Sequence, residues 1–72
     1  MMVPIRVQFA SLPDREFLVG ELWHENEQFA EIDAEAGKLR MTIFPRQDKT
    51  SWTIDLDDLD AALGKIRTRI QS

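Results

Sequence analysis

The apolar residues of this chain change period once, and that change limits the fold more than any other feature. From Val3 to Phe44 they recur in short runs at every second residue. From Leu59 to Ile70 they recur at helical spacing, about 3.6 residues. Strands come first and a single helix last. A lone sheet must have at least one face covered to be stable, and one helix can cover only one. The expected fold class is therefore α+β: an antiparallel meander of about four strands with one C-terminal helix packed on one face.

The first run is the clearest. Val3, Ile5, Val7 and Phe9 share one face, with Pro4, Arg6 and Gln8 on the other. Pro4 cannot donate to a ladder, so this strand starts there or lies at an edge. Ser11 to Arg15 reads as a loop. Phe17 to Glu25 is ambiguous, because Phe17, Val19 and Trp23 have one parity and Leu18 and Leu22 the other. Either both faces are covered or Gly20 marks a bulge. His24 to Gln28 is a polar interruption of hairpin length. Phe29 to Asp33 is the third strand, and Ala34 to Gly37 turns the chain, with Gly37 free to take positive φ. Lys38 to Phe44 alternates again, with Leu39, Met41 and Ile43 on one face. A polar loop, Pro45 to Ser51, leads through Trp52-Thr53-Ile54 to the helix.

Leu59, Ala62, Leu63, Ile66 and Ile70 form the helix stripe. Asp55 suits the N-cap, with Asp58 at the capping-box position and Asp57 as a rival cap; Ile54 and Leu59 form the hydrophobic staple. Carboxylates at the start (Asp55, Asp57, Asp58, Asp60) and cations at the end (Lys65, Arg67, Arg69) complement the helix dipole. The stripe is expected to meet the Val3–Phe9 and Leu39–Ile43 faces, burying both Leu63 and Ile66. The other sheet face then carries Arg6, Gln8, Lys38, Arg40, Thr42, Phe44 and Trp23.

A length of 72 residues allows one domain, 1–72. A core this thin leaves few side chains to wall off a reaction from water, which argues against an enzyme. The chain has no cysteine. Small secreted domains lean on disulfides, so a reducing, cytoplasmic location is expected. Met1 to Arg6 has no basic start before a long apolar run, so no signal peptide is expected, and no apolar stretch approaches a membrane span.

The Asp55-Leu56-Asp57-Asp58-Leu59-Asp60 segment begins like a calcium loop. It then fails, because Leu59 replaces a ligand, Asp60 the glycine and Ile66 the bidentate glutamate. Helix capping explains the same residues. His24 is the only histidine, and alone at a hairpin end it makes a poor metal or acid–base centre. Ser11, Ser51 and Ser72 sit in no nucleophile elbow. Gly20, Gly37 and Gly64 are too far apart to cradle phosphate. The residues point to no catalytic site, no metal and no cofactor.

Charge is uneven within a net −4. Glu16 to Glu35 holds seven carboxylates and neither Lys nor Arg, whereas Lys38, Arg40, Arg46 and Lys49 follow with Asp48 as the one acid among them. The acidic stretch repels phosphate and attracts a basic partner. Arg6, Arg40 and Arg46, with Phe44 as a stacking ring, offer the competing reading of a nucleic-acid module. Net acidity and a single stacking ring weigh against it.

Lys38 to Ile70 has a further pattern. A strand ending in Ile43-Phe44-Pro45-Arg46 is followed by a polar turn, then Trp52-Thr53-Ile54-Asp55, then an acidic helix start. It resembles small bacterial strands-then-helix proteins of uncharacterised role, and in size and layout some immunity proteins that neutralise bacterial toxins. The resemblance covers under half of the chain. It implies a bacterial origin and a binding role, and transfers no functional residue. Together these features lead to the expectation of a non-enzymatic, immunity-like or regulatory protein-binding module. Its binding residues would be Trp23, Phe44, Glu21 and Arg40 and its partner a basic protein, with a homodimer as the other way to cover the face.

Overall fold

A computed structural model describes residues 4–11, 13 and 18–71, with Gln71 as backbone alone. Four strands, β1 (Ile5–Ala10), β2 (Val19–His24), β3 (Glu27–Glu35) and β4 (Lys38–Ile43), precede one helix, α1 (Leu56–Gln71). The strands form an antiparallel sheet in the order β1-β2-β3-β4. The helix packs on one face, so the fold is the expected α+β meander. β1 begins one residue after Pro4 and is an edge strand, as the missing N–H requires. Glu16 and Phe17, and most of the loop before them, lie outside the described residues. No described helix is long and apolar enough to cross a membrane.

The hairpins are tighter than the polar runs suggest. His24 pairs with Glu27 and Glu35 with Lys38, so each turn has only two residues between the strands. Ala36 and Gly37 both have positive φ, 54° and 78°, the sign pattern of a type I′ turn. Glu25 also takes positive φ, 56°. His24 thus belongs to a strand and is half-buried, rather than sitting in an exposed turn.

The bulge lies on β3, not at Gly20. Leu22 pairs with Ala30 but Trp23 pairs with Gln28, which leaves Phe29 as an extra residue. The extra residue switches the parity of β3, so that Phe29 joins Ala30 and Ile32 in the core. Gly20 serves a different end. A Cβ there would stand 3.0 Å from Ile66 Cγ1, so the missing side chain lets the helix approach the sheet. Val19, Gly20 and Leu22 are all buried, so the start of β2 is covered on both faces.

The core consists of Leu22, Phe29, Ala30, Ile32, Ala62 and Ile66, flanked by Ile5, Val7, Phe9, Leu39, Trp52, Ile54, Leu59, Leu63 and Ile70. Asp55 caps the helix: its Oδ1 accepts from the backbone N–H of Asp57 at 2.9 Å and of Asp58 at 3.1 Å. This settles the choice against Asp57. Ile54 and Leu59 both pack on the core, in keeping with the staple.

The helix sits differently from the expectation in one respect. Its backbone runs close to β1, β2 and β3 but not to β4. Met41 and Ile43 therefore remain 38% and 64% exposed, although they share a face with the core residues Ile32 and Ala30. For the same reason Leu63, on the β4 side of the stripe, is only half-buried, whereas Ile66 is fully buried. One helix, about 10 Å wide, spans two to three strands spaced roughly 4.8 Å apart, and this helix is centred away from β4.

Candidate protein-binding face

The face opposite the helix is built from residues of the other parity. Cross-strand pairing aligns Arg6 with Trp23 and Gln8 with Glu21, then Glu21 with Glu31, Asp33 with Arg40 and Glu35 with Lys38. Trp23 is half-buried and tightly held. Its Nε1 donates to Glu21 Oε1 at 3.3 Å, and the Arg6 guanidinium lies 5.2 Å from its ring centroid. Phe44 follows β4 by one residue, and its N–H donates to Phe29 O at 2.8 Å. Strand alternation carries it to the Thr42 side, and it too is half-buried.

Arg40 lies between two carboxylates. Its Nε and Nη2 donate to Asp33 Oδ1 and Oδ2 at 3.4 and 3.3 Å, and Nη2 also meets Glu35 Oε2. The hydrogen bond to Asp33, with the two negative charges, raises the guanidinium pKa above its usual value. Arg46 stands at the end of the sheet near Trp52. Its guanidinium lies 5.0 Å from the Trp52 ring centroid and its Nη1 donates to Ser51 O at 3.2 Å. The three arginines of the nucleic-acid reading are therefore distributed among separate partners: Trp23, an acidic pair and Trp52.

A second cluster closes the loop between β4 and α1; an inward-packing Trp52 is readable from the sequence, its partners are not. Trp52 Nε1 donates to Phe44 O at 2.9 Å, and its ring packs against Phe29 (5.6 Å between centroids) and edge-on to His24 (6.1 Å). Asp48 accepts from both the N–H and the hydroxyl of Thr50, which holds its carboxyl below the usual carboxylate range. Gln47 N donates to Glu27 Oε2 at 2.8 Å. These groups are occupied in shaping the loop, and the only sequence signal for the cluster was the lone tryptophan between polar residues.

Among the described residues no group of three or more His, Asp or Glu converges as metal ligands. The grooves beside the helix are lined by apolar side chains with a few charged ones: Ile5, Val7 and Phe9 with Arg6, Glu25 and Lys65 on the β1 side, and Leu39, Met41 and Leu63 with Arg40 and Arg67 on the β4 side. Compared with protein-family models, with curated proteins and with solved structures, the chain matches none.

Proposed function

We propose that this chain is a non-enzymatic protein-binding domain that acts through the helix-free face of its sheet, with Trp23 and Phe44 as apolar anchors among Glu21, Glu31 and Arg40. One observation carries the reading. Trp23 is fixed on that face by Glu21 and Arg6, so its large ring needs little further ordering to bind. A preorganised tryptophan among polar neighbours is the composition of an interface hot spot. The surrounding carboxylates favour a basic partner and disfavour a phosphate backbone. The pairing of Arg40 with Asp33 and Glu35 supports the same preference over nucleic acid. An inhibitory or regulatory role, of the kind immunity proteins fill, follows if the covered surface of the partner is its working surface.

The test is a double substitution, Trp23→Ser with Phe44→Ser, examined by affinity capture from bacterial extract after nuclease treatment. A protein retained specifically by the wild type and lost by a variant with an unchanged circular dichroism spectrum supports the reading. Loss of the captured material on nuclease treatment overturns it in favour of nucleic acid. An unfolded double variant would place the rings in the core and overturn it as well.

A further inference from the structure

We infer that two copies of this chain pair through their β4 strands, antiparallel about a twofold axis at Met41, to form one continuous sheet. Among the described residues β4 has a strand neighbour on one side only. The chain that follows it does not shield the other side. Gln47 and Trp52 draw the loop over the end of the β2–β3 hairpin, at Glu27, His24 and Phe29. Five of the six β4 residues are exposed.

The backbone directions follow from one hydrogen bond. Ile43 pairs with Ala30, and Phe44 N donates to Phe29 O. Ile43 and Ala30 are thus a non-hydrogen-bonded pair, and the alternation of an antiparallel ladder fixes the rest. Arg40 and Thr42 direct their N–H and C=O groups to β3. Leu39, Met41 and Ile43 direct theirs to the open edge. A partner strand must meet those three residues.

A second copy can meet all three in one register. With Met41 opposite Met41 of the other copy, Leu39 stands opposite Ile43 in both directions, and each pair can exchange both of its backbone hydrogen bonds. The ladder stops at Pro45, which has no N–H to offer. The same register brings the exposed apolar side chains Met41 and Ile43 against apolar neighbours, and sets Arg40 opposite Thr42. Shifting the axis to Arg40 would place the two guanidinium groups directly opposite one another, which is unfavourable. Shifting it to Thr42 would put Pro45 into the ladder. Slipping by a single residue would oppose the apolar side of one strand to the polar side of the other. Arg40, which on an edge strand could block pairing, is instead drawn back over the sheet by Asp33 and Glu35. The contact is isologous and closes at two copies.

Sedimentation velocity of the full chain over about a hundredfold range of concentration reads the mass directly, and the expected species is twice 8.4 kDa. Met41→Lys and Met41→Glu each set like charges opposite at the axis, and should each weaken dimerisation roughly tenfold or more. An equimolar mixture of the two variants should restore the dimer, because the axis then pairs lysine with glutamate. Only a contact in which position 41 meets itself gives that restoration. A wild type with the mass of one chain at every concentration overturns the inference. So does a dimer indifferent to both substitutions, or a mixture that stays monomeric while both variants keep the wild-type circular dichroism spectrum.

Discussion

Backbone conformation at single positions carries much of the local cost in this small domain. Ala36 has φ of 54°, a left-handed conformation that brings the Cβ of an L-residue too close to the following carbonyl. Asparagine tolerates that region and, before glycine, forms the pair preferred in type I′ turns. Ala36→Asn is expected to stabilise the protein by about 0.5–1 kcal/mol. Urea denaturation checks this, and a lower midpoint for the variant would show that the turn changes type when the residue does. Gly37 beside it was readable as a positive-φ position from sequence. Ala36 was not, because nothing in an alanine announces the left-handed region; the two-residue loop imposes it.

Within the helix, the position of each apolar residue relative to the sheet decides its worth. Ile66 is fully buried above Gly20, whereas Leu63 borders the groove next to β4. Truncation at Ile66 leaves a cavity on all sides, and Ile66→Ala should cost about 2–5 kcal/mol. A stripe facing both edge strands would give Leu63→Ala a similar cost. With Leu63 half-exposed, the loss should be roughly half as large, because the wild-type side chain already meets water. Equal losses in chemical denaturation would mean that the helix is centred over β4 in solution. For a domain whose whole stability is about 5 kcal/mol or a little more, the Ile66 variant should be close to unfolded.

At the scale of the whole molecule, the sheet and helix share one thin core, and neither can keep its apolar face dry alone. They should therefore unfold together. The two tryptophans report from different places: Trp23 on the helix-free face, and Trp52 where the loop closes over Phe29. Fluorescence of Trp23 alone, in a Trp52→Phe variant, and far-ultraviolet circular dichroism of the same variant should give coincident denaturation curves. An earlier fluorescence transition would identify a sheet face that loosens before the helix detaches.

The order of elements, the fold class, the helix stripe and its Asp55 cap were all legible in the amino-acid sequence. Each depends on interactions between residues near one another along the chain. Period and capping residues are local signals, and a meander adds only neighbour-to-neighbour pairing. The candidate face was legible as a set of residues of one parity, including Trp23, Phe44, Glu21 and Arg40. What held them was not: the seat of Trp23 between Glu21 and Arg6, and of Arg40 between Asp33 and Glu35, depends on cross-strand register. The bulge at Phe29 escaped notice because two adjacent apolar residues fit either parity until the pairing of β2 with β3 is known. The bare apolar side of β4 was hidden for a similar reason. Periodicity says that Leu39, Met41 and Ile43 share a face with the core. Only the tertiary structure decides where a single helix, narrower than the sheet, comes to rest, and the gap at Gly20 that receives Ile66 draws it toward β2 and away from β4.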